Sequence, residues 1–245
     1  MATETQESPA VYPKEPESAA RGFFPFLDTL LRQREGYFCR IFDGGNILYE
    51  IRMLLLVILS LNAIYGLTMG VKSGWQFMAA SAIKTPLLFL LTLAVCYPVL
   101  YVINVLMGSK LSFLRTLALI LAALAMTSIL LASFALIALF FTLTGANYHF
   151  IKILHVAIFA FSGILGMVAL WRGLAASCEQ SDLYPRQAMK VLRIWILIFG
   201  FVGVQMAWSM RPFVGEPGLP FQLFRAQEGN FYGAVFQSIK ILLKS

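Results

Sequence analysis

Charge-free apolar runs alternate with short polar connections along most of this chain, and the runs are long. Leu54–Leu67, Pro86–Met107 and Leu117–Leu143 hold no charged residue, whereas an element of a soluble core interleaves polar positions at its own period. Runs of this kind match the ~20 residues that cross ~30 Å of hydrocarbon, and the pattern predicts spans at 52–70, 84–107, 115–144, 152–172 and 191–209. The third is the longest, and its leucines and alanines favour helix strongly. Most connections are short enough to force antiparallel neighbours. The exception is the polar stretch around Glu179, Asp182, Arg186 and Lys190. The expected fold class is all-α: a polytopic membrane helical bundle with about five transmembrane helices and amphipathic interfacial helices at both ends.

The ends of the chain have a different character. Residues 1–22 are rich in Glu, Ser, Pro and Ala and have almost nothing to bury, so a disordered tail is expected. Residues 23–46 mix Phe23, Phe24, Phe26, Leu27, Leu30, Leu31, Tyr37, Phe38 and Ile41 with Asp28, Arg32, Arg34, Glu35 and Arg40. That mixture is too charged to span and too apolar to stay in water, as in an amphipathic segment lying in the headgroup region or against the membrane domain. The five-span domain then occupies 47–210. In 211–245 an irregular loop precedes a helix: Pro212, Gly215, Pro217, Gly218 and Pro220 interrupt regular structure. Phe231, Val235, Phe236, Ile239, Leu242 and Leu243 then define one apolar face on a helix too short to cross.

Composition agrees with a membrane domain. The chain is 59% hydrophobic and 13% charged, with a mean hydropathy of +0.77, far outside the range of soluble domains. Its net charge of +7 comes from basic residues scattered singly among loops, which is not a nucleic-acid surface. More of the Lys and Arg lie on the side of the N-terminal tail and the second and fourth loops, so the positive-inside rule places the N-terminus in the cytoplasm and the C-terminus outside. No aspartate or glutamate stands between Ile51 and Cys178. Intramembrane carboxylates mark proton relays and cation sites, so this run argues against cation coupling within the bundle. Cys39, Cys96 and Cys178 lie far apart without metal-ligand spacing.

Candidate chemistry inside the spans is sparse. His149 and His155 are six positions apart, off a common helical face, and structural roles are expected for both rather than a haem or metal site. Asn62, Asn104 and Gln205 are read as interhelical hydrogen-bonding residues, and Gly163 with Gly166 and Gly200 with Gly203 as close-packing points. Pro98 should bend the second span. Lys84 precedes Pro86 at the expected start of that span, where proline fits a first turn and a lysine can snorkel without a partner. Neither a phosphate loop, nor HExxH, nor a nucleophile elbow is present. No catalytic residue, cofactor or metal is therefore expected.

The stretch AIKTPLLFLLTLAVCYPVLYVINVLMGSKLS, Ala82–Ser112, together with the polar tail, aromatic pre-membrane segment and five close-spaced spans, resembles the Yip (Ypt-interacting protein) superfamily over roughly residues 37–210, in particular its prokaryotic multi-pass members. Lys84, Pro86, Pro98 and Gly108 carry the likeness. In eukaryotes the resemblance implies membrane traffic, a cytosolic face that engages small prenylated GTPases, and pairing with related proteins. This chain has Asp43-Gly44-Gly45-Asn46-Ile47 where the family's Asp-Leu-Tyr-Gly-Pro type element stands, so a small GTPase is a doubtful partner.

The function expected is that of a non-enzymatic integral membrane scaffold or assembly subunit in a bacterial inner membrane. Its partners would be the lipid bilayer and other membrane proteins or a second copy, with no nucleic acid. Arg211, Phe213, Phe221, Phe224, Arg225 and Tyr232 in the C-terminal block are the candidate partner-binding residues, because buried aromatic and arginine anchors dominate interfaces. The alternatives are a channel or carrier for a neutral, lipidic or anionic solute, and a pigment- or haem-associated subunit using His155.

Overall fold

The computed structural model describes residues 22–32, 37, 38, 41, 46–180, 186–216, 220–224 and 229–244; for 175–180, 186–189 and 244 only the helical backbone is described. Residues 1–21 of the expected N-terminal tail, and Arg225, lie outside these residues. All regular structure among the described residues is helical: α1 (Phe23–Arg32), α2 (Ile47–Gly70), α3 (Trp75–Leu106), α4 (Phe113–Leu143), α5 (Tyr148–Gln180), α6 (Arg186–Ser209) and α7 (Phe231–Lys244). Helices α2 to α6 are the five long enough and apolar enough to cross a membrane. The chain is an integral membrane helical bundle whose apolar outer surfaces contact lipid.

Local chemistry sets the boundaries. The Asn46 side chain accepts from the Tyr49 amide at 3.3 Å and Ser112 from the Arg115 amide at 3.4 Å, meeting donors that a helix start otherwise leaves open. Between α2 and α3 a single 3₁₀ turn, Val71–Ser73, leads to Gly74 at φ +102°, a conformation that L side chains rarely adopt. The second span therefore begins at Trp75 rather than near 84, two turns earlier than apolarity suggests. Pro86 and Pro98 both lie within α3. Thr85, Thr92, Thr116, Thr127, Ser128 and Thr142 each donate to the carbonyl four residues back, which satisfies these hydroxyls where lipid offers no partner.

Packing is an arc, α6–α3–α2–α4–α5, in which each helix lies along the next while α5 and α6 scarcely touch. Helix α4 is the centre: 61% of its apolar window is buried, against 28% for α5 and 22% for α6. Asn62 of α2 donates to Ser128 Oγ of α4 at 2.7 Å, so this amide makes the expected interhelical bond. Gly66 lets α2 and α3 approach until a Cβ would strike the backbone of Ser81 and Ala82.

Each end of the arc is covered. At the end where α2 begins, Phe26, Leu30, Tyr37, Phe38 and Ile41 are buried against Leu111, Leu170, Leu174 and Leu192. The N-terminal aromatic segment thus packs on the bundle. At the other end, residues 210–216 and 220–224 form a strap over α3, and α7 packs on α5 and α6. Ser81 Oγ donates to the Phe213 carbonyl at 2.5 Å, and Ser73 Oγ accepts from the Gly215 amide at 3.0 Å.

Candidate functional site

The gap between α5 and α6 is a cavity of ≈ 1000 Å³, at the top of the ~300–1,000 Å³ range of small-molecule sites. Its floor is Leu88, Phe89 and Thr92 of α3 with Leu124 and Thr127 of α4; its long walls are α5 and α6, and the strap and α7 close one end. Leu197 and Ile164 line it yet are 74% and 63% exposed, so they stand at its lateral mouth, facing the surrounding lipid.

Helical periodicity explains the walls. On α6, Arg193, Gly200 and Ala207 recur at heptad intervals and Arg211 follows four residues later. Arg193 and Ser209, the last residue of α6, are 16 positions apart, roughly 24 Å at ~1.5 Å per residue, and Arg211 lies just past the helix end. On α5, Lys152, Val156, Phe159, Gly163 and Met167 follow the same spacing. The result is a slot about as long as a bilayer is thick, apolar along its middle, with cations at both ends. A Cβ at Gly163 or Gly200 would meet nothing within 4 Å. These two glycines widen the slot rather than pack helices. Gly166, by contrast, has Thr127 of α4 where its Cβ would stand and is a close-packing point.

The two ends differ. At the end away from the strap, the Arg193 guanidinium lies 4.1 Å from the centre of the Trp171 ring. At the strap end, Arg211 stacks on Trp208 at 3.8 Å, and Lys152 is within electrostatic reach of Arg211 and Glu216. His155 is buried there, its Nδ1 2.8 Å from the Tyr65 hydroxyl and its ring edge-on to Tyr65. The Nε2 of His155 and the indole Nε1 of Trp208 are both buried without a hydrogen-bond partner. Buried polar atoms are satisfied in the great majority of cases, and both of these residues line the cavity.

Of the residues expected to bind a partner, Arg225 lies outside the described residues and the others have different surroundings. Arg211 and Phe213 line the cavity. Phe221 packs edge-on against Phe77 of α3 at 5.0 Å, and Phe224, largely exposed, lies over the Lys84 ammonium, 4.9 Å from its ring centre. Tyr232 is exposed on α7, edge-on to Phe231. Lys84, expected to snorkel alone, is 3% exposed and donates to the carbonyls of Pro212 and Leu223. It lies about two and a half turns into α3, and the strap folds over it. His149 Nδ1 sits 3.4 Å from Ser238 Oγ of α7, a structural role.

Lys152, Trp208 and Arg193 are not among the residues singled out from the sequence, and Gly163 and Gly200, expected to pack helices closely, face open space instead. The interval between Arg193 and Arg211 was the readable signal. Among the described residues no group of histidine, cysteine and carboxylate side chains is gathered for a metal ion. Compared with protein-family models, with curated proteins and with solved structures, the chain matches none.

Proposed function

We propose that this protein is a non-enzymatic membrane protein that binds, and carries, a lipidic solute in the slot between α5 and α6. One observation supports the reading above the others: two adjacent spans that scarcely touch enclose ≈ 1000 Å³ with apolar walls along the depth of the bilayer. Apolar volume opening sideways admits hydrocarbon from the membrane without transfer through water, where each methylene costs about 0.8 kcal/mol to expose. The scaffold reading has less support, since Phe213, Phe221 and Lys84 are engaged within the chain, although Tyr232 and Phe236 of α7 stay exposed. The excess of basic residues beside the N-terminus supports a cytoplasmic N-terminus in a bacterial inner membrane, which puts the strap on the outer side.

Photo-crosslinking tests the proposal. Protein in nanodiscs containing a phosphatidylcholine with a diazirine on its acyl chain should label the slot faces of α5 and α6 more heavily than Leu136 of α4, which is 75% exposed but outside the slot. Gly200→Phe, which fills open space, should remove that excess. Equal labelling of Leu136 and the slot, unchanged by Gly200→Phe, would overturn the reading.

A further inference from the structure

Resting on that reading, we infer that the strap end of the slot is a headgroup site for an anionic phospholipid, whose phosphate lies between Lys152, Arg211, Trp208 and His155 while an acyl chain runs toward Gly200 and Gly163.

Charge complementarity comes first. Among the described residues, two cations, Lys152 and Arg211, and one carboxylate, Glu216, line this end, an excess of one positive charge beside an apolar channel. Facing hydrocarbon, that arrangement favours an amphiphile with a negative head over a neutral or cationic one. Arg211 is held in place by its stacking on Trp208, and a guanidinium presents a planar fork of donors suited to phosphate oxygens.

The orphan atoms supply the second, independent argument. The Tyr65 hydroxyl has His155 Nδ1 as its hydrogen-bond partner among the described residues, at 2.8 Å. A buried hydroxyl must donate somewhere, so it donates to Nδ1, and the ring hydrogen then resides on Nε2. His155 is only 3% exposed, and its Nε2–H has no protein acceptor. The Trp208 indole N–H can only donate and is likewise unmatched. Lysine and arginine are also donors without acceptor capacity. A site of converging donors needs an acceptor-rich group, and a phosphodiester supplies one. The source of the ligand follows from the mouth: Leu197 and Ile164 open the slot to the bilayer, where phospholipid is the abundant acceptor-headed amphiphile.

Native mass spectrometry of the full chain in detergent, titrated separately with phosphatidylglycerol and phosphatidylcholine of identical acyl chains, and with oleate, tests the inference. Phosphatidylglycerol should bind on the order of tenfold more tightly than phosphatidylcholine, the scale of one charge-assisted hydrogen bond. Lys152→Gln should abolish the preference by weakening phosphatidylglycerol binding more than that of phosphatidylcholine, whose phosphate is balanced by its own choline, and Lys152→Arg should retain it. Equal binding of the two phospholipids by the wild-type chain overturns the headgroup site, and if Gly200→Phe still removes both, the lipid-binding reading stands without it. Oleate binding as tightly as phosphatidylglycerol overturns the phospholipid assignment in favour of a carboxylate amphiphile. Phospholipid binding that Gly200→Phe leaves untouched overturns the slot as the binding place, and both readings with it.

Discussion

The ammonium of Lys84 on α3 donates to the carbonyl of Pro212 at 3.1 Å, across 128 positions of sequence. A second bond to the Leu223 carbonyl and the rings of Phe224 at 4.9 Å and Phe213 at 5.8 Å also surround it. A buried cation is costly unless its donors are matched, and here the matching groups belong to the strap that closes the slot. Lys84, together with Ser81, ties the C-terminal segment to the second span.

Lys84→Met should accordingly loosen the strap. Two hydrogen bonds from a charged donor are lost, while the desolvation cost of the ammonium is relieved, so the net destabilisation should be about 1–3 kcal/mol. The Gly215 amide, held by Ser73 Oγ, should exchange its hydrogen faster in Lys84→Met, read by hydrogen-exchange mass spectrometry over 210–216. Exchange identical to that of the wild type would show that the strap is held by other contacts.

The Asn62–Ser128 bond offers a cleaner energy measurement, because both groups are buried and lie on the most extensively packed helix pair. A double-mutant cycle with Asn62→Ala and Ser128→Ala should give a coupling of about 0.6–2 kcal/mol, the range of interhelical hydrogen bonds in membranes. Ser128→Ala leaves the buried Asn62 amide without its acceptor, whereas in Asn62→Ala the Ser128 hydroxyl keeps its bond to the Leu124 carbonyl, so the double variant should be less destabilised than the sum of the two. Strict additivity would contradict the bond.

The all-helical class and the presence of five spans could be read from apolar run length alone, since no soluble element tolerates such runs. The start of α3 could not: Trp75 to Ile83 contains Gln76 and Ser81, which dilute apolarity, and only the positive φ of Gly74 fixes the true boundary. Lys84 was misread for that reason, being placed at an interface when it lies under the strap. Gly163 and Gly200 were misread for another. Glycine on a membrane helix signals either close approach or open volume, and composition does not distinguish the two; the separation of α5 from α6 decides. His155, expected to be structural, is bonded to Tyr65 of a helix 90 positions away, a partner that spacing along the chain does not reveal.

That distinction between glycines gives opposite mutational outcomes. Gly66→Ala would drive a Cβ into the backbone of Ser81 and Ala82, which no side-chain rotation relieves, and should destabilise the protein by about 1–3 kcal/mol or more. Gly200→Ala meets open space and should be neutral or stabilise the helix by up to about 1 kcal/mol. Unfolding in graded sodium dodecyl sulfate measures both. A destabilised Gly200→Ala would mean that α5 and α6 close on each other in the membrane and that the slot is not a resting feature.

The N-terminal aromatic segment should matter to the bundle as much as any span contact. Phe38 is fully buried, and its ring occupies the space into which a Cβ on Gly173 of α5 would project, while the nearby Tyr37 hydroxyl donates to Glu50 Oε2 of α2 at 2.8 Å. The segment thereby joins the starts of α2 and α4 to the far end of α5. Phe38→Ala removes a large buried ring and should cost about 3–5 kcal/mol. Phe24, 79% exposed on α1, provides the control, because Phe24→Ala should change stability by no more than about 0.5 kcal/mol. Similar small losses for both variants would show that the segment rests on the headgroup surface without bracing the bundle. A large loss confined to Phe38→Ala would show that the bundle depends on it to hold α5 at this end of the slot.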